Sequence, residues 1–378
     1  MDHVRRRAFR LLTVLVTTAA VGSLLPAAAV YAAGTTASVF AVGLNNPRGL
    51  AFDEGGNLYV AEGGRGGATT TTSSDCEQVA FPIGPYSGAF NASISKITRN
   101  GIRTVVASGL PSSQTGPIAG SLVSGVASVV VKDDNELFAM TSGAGCSHGL
   151  KGTSNSILRV RRDGTTTVVA DLSGFLKAHP VANPDNNAVT GDFEPDGTWY
   201  SMVSTGDSFY AVEPNHQELD RITSAGVVSR VVDFSIYFPG NTDWRGPTAL
   251  ARRDGSLYIG TLTPFPLVAG AAQIFKVNPE TGSFTVFASG LTSVVGLAFD
   301  EHGAIYVLET NAAAGFPGPG NGRVVKIKGS ERTVIVGGLN VPTAMAFGPD
   351  GKLYISVNGF GAPPGAGQIV RVEVPGED

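Results

Sequence analysis

Charge is the first thing this chain has little of. Asp, Glu, Lys and Arg make up 15% of its 378 residues and leave a net charge of −4. That balance gives nucleic acid no electrostatic footing, so nucleic acid is excluded as a partner. Histidine is scarce as well. His148, His179, His216 and His302 are scattered with no short ligand spacing, which gives no support for a zinc site. There is no G-x-S-x-G elbow, and "GRGG" at 64–67 opens no helix, so neither a nucleophile elbow nor a phosphate loop is indicated and no catalytic residue is assigned. Only two cysteines occur, Cys76 and Cys146.

What the chain has is glycine, proline and a repeated phrase. Fifty glycines and 22 prolines fit many short strands and turns better than helices. "AFDEGGNLYVAEGG", "AFDEHGAIYVLETN" and "AFGPDGKLYISVNG" each join an apolar pair, a tight turn and an alternating run with an aromatic residue, which is a β-hairpin. Six strands that follow such turns supply Tyr59, Phe138, Tyr200, Tyr258, Tyr306 and Tyr354. Six later strands carry a basic residue between apolar ones: Lys96, Arg159, Arg221, Lys276, Lys326 and Arg371. Five of these are followed by a fourth strand such as "RTVVASG". The sixth copy stands at the other end, as "ASVFAVG" at 37–43. A repeat divided between the termini is what a closed ring needs. The expectation is an all-β six-bladed β-propeller of four-stranded blades, closed by its N-terminal strand.

The first residues are a separate unit. "MDHVRRRAFR" is basic, "LLTVLVTTAAVGSLL" apolar, and "PAAAVYAAG" ends in small residues, the order of an export signal. Cleavage after Ala32 leaves residues 33–378 as one propeller domain, secreted or periplasmic, monomeric, and without a membrane span. The Arg6-Arg7 pair keeps both the general and the twin-arginine export routes open.

All the elaboration falls on one face. The loops between strands 2 and 3 are long and varied, whereas the hairpin turns are short, and long loops on a rigid scaffold are where binding sites sit. Cys76 and Cys146 lie in these loops of adjacent blades, and an even pair in an exported chain favours a disulfide, closing about 70 residues and worth about 4 kcal/mol. At the channel mouth, Asn46, Arg48, Asn186, Asp192, Trp244 and Arg245 are candidate ligand-binding residues, Asp192 because it falls near the place of Ala51, Ala298 and Ala346 in other blades. Glu62, Asn187, Asp243 and Glu309 are oxygen donors that could converge on Ca²⁺. The alternative for these polar residues is turn chemistry.

"VGLNNPRGLAFDEGGNLYVAE", "SISKITRNGIRTVVASGLPS" and "GDFEPDGTWYSMV" resemble the ScyD/ScyE family of exported propellers, over residues 36–374. More distantly the hairpins resemble NHL repeats and the propellers of strictosidine synthase and gluconolactonase relatives. The family resemblance implies an accessory role in secondary metabolism outside the membrane and carries over no catalytic residues. Two further readings stand beside it. One is a non-catalytic scaffold that binds a small molecule or protein through the long loops. The other is a Ca²⁺-dependent hydrolase or lactonase at the channel mouth.

Overall fold

The structure is a computed structural model that describes residue 35 and residues 37–132, 135–185, 193–238 and 244–374. Its strands form six antiparallel blades. Blade 1 comprises Pro47–Phe52, Leu58–Glu62, Ser87–Ile97 and Arg103–Gln114, with short additions at Thr69–Thr70 and Val123–Ser124. Blade 2 follows with Val126–Val131, Leu137–Thr141, Ser156–Val160 and Thr166–Asp171, and blade 3 with Ser201–Thr205, Ser208–Glu213, Glu218–Thr223 and Val228–Asp233. Blade 4 is Gly246–Arg253, Ser256–Leu262, Ala272–Val277 and Phe284–Leu291. Blade 5 is Val294–Phe299, Ile305–Glu309, Gly322–Lys328 and Glu331–Leu339. Blade 6 takes Ala344–Phe347, Leu353–Val357 and Gly367–Val372, and its outer strand is Ala37–Leu44 from the beginning of the chain, paired from Ala37↔Val372 to Leu44↔Gly367. The first strand of each blade packs against that of the next, and blade 6 against blade 1, so the ring is closed.

Period-two side-chain alternation explains why both faces of each blade are apolar. In blade 5, Ile305 and Val307 join the core shared with blade 4, while Tyr306 and Leu308 join the core shared with blade 6. Each of the six blade interfaces holds one such cluster.

The repeated aromatic and the repeated basic residue turn out to be cross-strand partners. Tyr59 faces Lys96, Phe138 faces Arg159, Tyr258 faces Lys276, Tyr306 faces Lys326 and Tyr354 faces Arg371. In blades 1, 2, 4 and 5 the cation sits over the ring at 5.4, 5.4, 5.8 and 5.6 Å, a contact that stabilises each pair modestly. In blades 1 and 5 the ammonium also reaches the turn aspartate, Asp53 or Asp300.

The same rule corrects blade 3. There the basic Arg221 faces Tyr210, not Tyr200. The hairpin turn lies at Gly206–Asp207, and "EPDG" belongs to the connection leading into the first strand. Fully buried Trp199 sets this register by packing into the blade 2–3 core and directing its indole N–H at Asp220 Oδ2, 3.3 Å away. The place of Ala51, which pairs with Tyr59, is taken by Val203, which pairs with Tyr210. Asp192, assigned to that place from the sequence, lies outside the described residues.

Ring closure should be a global constraint. Leu44 is fully buried in the core between blades 6 and 1. Leu44→Ala is expected to destabilise the whole protein by about 2–5 kcal/mol, read as a lower chemical-denaturation midpoint. A loss below about 1 kcal/mol would mean that the closing strand is not coupled to the rest.

Candidate functional site

The long-loop face is built up most over blades 1–3. The third and fourth strands of blade 1 outrun those of the other blades, and the blade 1 and blade 2 loops are joined by the Cys76–Cys146 disulfide, with a Cα separation of 6.2 Å. Thr71 Oγ1 donates to the Cys146 carbonyl (2.5 Å), and Lys151 pairs with Asp75 (2.9 Å). The expected cross-link is therefore present, and it pins the Thr/Ser/Gly-rich loop.

Beside it lies a buried polar row. His148 Nδ1 is 2.8 Å from Ser113 Oγ, and Nε2 is 3.1 Å from Glu194 Oε2, at ion-pair distance though out of line for a hydrogen bond. Tyr86 donates its hydroxyl to Glu194 Oε1 (2.7 Å) and sets its ring edge-on to His148. Serine, histidine and carboxylate in a row resemble a hydrolytic triad, but Ser113 and His148 are completely buried and Ser113 pairs within a β-ladder. No substrate carbonyl can reach its Oγ, so the row acts as a latch. It joins blade 1, the blade 2 loop and the connection into blade 3.

Two of the four candidate Ca²⁺ ligands, Glu62 and Glu309, are held in ion pairs with arginines. Glu62 and Glu309 end the second strands of blades 1 and 5, fully buried. Glu62 accepts from the backbone N–H of Asn45 (2.7 Å), from Ser95 Oγ (2.5 Å) and from Arg103 (2.7 Å). Glu309 accepts from the Thr292 N–H (2.6 Å) and from Arg323 Nε (2.6 Å). Each thus ties the connection from the preceding blade and is neutralised by an arginine, leaving little negative charge for a metal. Asn187 and Asp243 lie outside the described residues. Among the described residues no group of three or more His, Cys, Asp or Glu side chains is placed to hold a metal ion.

Blade 3 has a third copy that the sequence reading passed over. Tyr59-x-x-Glu62, Tyr210-x-x-Glu213 and Tyr306-x-x-Glu309 recur in alternate blades, a signal that assigning Tyr200 to the second strand of blade 3 hides. Glu213 accepts from the N–H groups of Thr198 (2.7 Å) and His216 (2.5 Å), yet it faces Glu218 across the ladder where Glu309 faces Arg323. Burial lifts its pKa to about 8. Burial also raises Glu218, which is held by Arg230 Nε at 2.5 Å, and it raises Asp220 well above the carboxylate range, with the Glu218 charge adding to the effect. Burial lowers His216, whose Nε2 is 3.0 Å from the Glu194 carbonyl.

At the channel mouth the structure gathers part of the expected ligand set. Asn46 is buried, its amide donating to the Gly64 carbonyl (3.0 Å) and accepting from Ala362 N–H (3.2 Å), so it ties blade 1 to the blade 6 loop. Arg48 is buried, donates to the Val123 carbonyl, and lies 5.0 Å from the Phe360 ring centroid and 5.9 Å from that of Tyr200. Tyr200 packs against the blade 5–6 core from blade 3, which places it across the channel. Burial lowers the Arg48 pKa and raises that of Tyr200, each opposed by the other group. Tyr200 and Phe360 were not foreseen, since only the ring brings blades 1, 3 and 6 to one point. Trp244 and Arg245 instead pack beside blade 3, the Trp244 indole N–H facing the Gln217 amide at 2.9 Å. Asn186 and Asp192 lie outside the described residues.

Fold and site together define a six-bladed β-propeller with a disulfide-pinned loop face. Residues 129–334 match the repeat of unknown function DUF6923, and the chain belongs to that family. No curated protein sequence matches it. Among solved structures it is similar to a PQQ-bound aldose sugar dehydrogenase from Streptomyces coelicolor, at 14% identity over 92% of this chain and 100% of that one, TM-score 0.52. It is also similar to a calcium-binding protein, regucalcin, from Agrobacterium tumefaciens, at 13% identity over 89% and 92%, TM-score 0.52. A third is a protein of unknown function from Bacteroides thetaiotaomicron, at 13% identity over 90% and 76%, TM-score 0.54. At these identities the likeness is one of fold.

Two measurements check the electrostatics. Glu213 releases its proton near pH 8 when folded and near its ordinary 4.5 when unfolded, so the folded state holds the extra proton between these values. Its contribution to stability is complete below pH 4.5 and is lost as the pH rises toward 8. The melting temperature should therefore fall over that window, and less steeply in Glu213→Gln. Removing the disulfide by Cys76→Ser is expected to cost about 2–5 kcal/mol, with reductant destabilising only the parent protein.

Proposed function

We propose that the protein is an exported, non-catalytic binding propeller that engages its partner through the loop-rich face. The observation that carries this reading is the apolar character of the loop tips. Phe81, Phe265 and Phe316, each followed by proline in a different blade's loop, are 74%, 42% and 70% exposed. Ile118 and Val268 are exposed on the same face. Exposed aromatic residues held by a rigid scaffold are the usual anchors of recognition. The tips are fixed rather than free: Leu267 and Gly315 exchange reciprocal backbone hydrogen bonds of 2.8 and 3.0 Å, holding Phe265 beside Phe316. The lactonase alternative needs carboxylates open to a metal, and the arginine pairs of Glu62 and Glu309 count against it. Export agrees with the disulfide and with the order of basic, apolar and small residues at the start of the chain.

Photo-crosslinking tests the reading. A benzophenone amino acid at position 81 or 316 should give discrete adducts in the exported fraction of the producing cells, whereas the same group at Asp254, on the short-turn face, should give none. Equal labelling from both faces, or none from the loop face, would sink the proposal. Metal dependence supplies a second check: Glu62→Gln should lower the melting temperature equally with Ca²⁺ and with chelator. A Ca²⁺-dependent difference would restore the metal reading.

A further inference from the structure

We infer that the channel mouth receives the carboxylate of a small molecule with an apolar body, and that Arg48 takes its charge. This rests on the binding reading above and names the ligand class for the centre of that face. Arg48 is only 8% exposed, yet among the described residues no carboxylate pairs with it. Arg103, Arg230 and Arg323 each meet a buried glutamate. The partners that Arg48 does have are the Val123 carbonyl, the Tyr200 hydroxyl and two aromatic rings. A buried guanidinium that lacks a counter-charge is costly, and an anion arriving at the site offsets that cost.

The surroundings narrow the class. The Phe360 and Tyr200 rings lie 5.0 and 5.9 Å from the guanidinium, and the in-plane N–H groups not taken by the Val123 carbonyl and the Tyr200 hydroxyl remain as the direction for a bidentate acceptor, the geometry of a carboxylate. Among the described residues none of the groups recorded against Arg48 brings a second cation, so one positive charge matches a singly charged ligand. The same two rings wall the site for an apolar body. Arg48 enters from blade 1, Tyr200 from blade 3 and Phe360 from blade 6, so a ligand here touches three blades.

Titration calorimetry and melting of the full exported chain with benzoate, and with uncharged benzamide as control, test the assignment. Benzoate is expected to bind and raise the melting temperature, and benzamide is not. Arg48→Met should weaken benzoate by at least about tenfold, as loss of a charge-assisted hydrogen-bond pair does. If that variant does not fold, Arg48→Lys keeps the charge but loses the fork, and should still bind more weakly than the parent. Failure of benzoate to bind, equal binding of benzamide, or parental affinity in the folded Arg48 variants each overturns the inference. Loop-face crosslinks that persist in that event leave the binding reading standing, whereas loss of both removes the reading itself.

Discussion

Every other feature depends on one constraint: each blade is apolar on both faces, so no blade can be left without a neighbour. A twisted sheet buries two faces only between two others, and six of them do so by closing a ring. The chain meets this by giving its first strand, Ala37–Leu44, to the last blade. Buried electrostatics strengthen the same join. Arg103 donates both to Glu62 in blade 1 and to the Gly43 carbonyl (2.8 Å) in the closing strand. The carboxylate that looked like a metal ligand is part of the closure.

The alternate-blade glutamates show how one position acquires different chemistry. In blades 1 and 5 an arginine balances the charge, and the residue is a tie between blades. Blade 3 puts Glu218 across from Glu213 and spends Arg230 on Glu218. The result is a concentration of buried acids, Glu213, Glu218 and Asp220, whose pKa values burial raises, near His216 and Glu194. Polar latch, cross-link and the longest loop therefore coincide over blades 1–3, while the uncharged Phe-Pro loops of blades 4 and 5 project on the other side of the same face.

Much of this was legible in the residues. The turn glycines, the aromatic and basic strand positions and the divided sixth repeat specified the fold, because each depends on local geometry repeated at a regular interval. The cysteine pair was legible for the same reason, since equivalent loops of adjacent blades must be neighbours. In blade 3 the sequence pattern misleads through a local resemblance: "EPDGTWYS" has a turn and an aromatic in the expected order, and only the burial of Trp199 and the pairing of Tyr210 with Arg221 put the second-strand aromatic ten residues further on than Tyr200.

The amino-acid sequence by itself determined the number of blades, the manner of closure and the face that carries the loops, because short-range turn and strand preferences repeat in it. Tertiary structure alone decided what the polar residues do. Arg48, Tyr200 and Phe360 lie far apart in the chain and meet only across the closed channel. Whether a glutamate is a free ligand or a neutralised tie depends on an arginine whose approach is set by packing. Charge and burial are properties of a surrounding, and the surrounding exists only once the ring has closed.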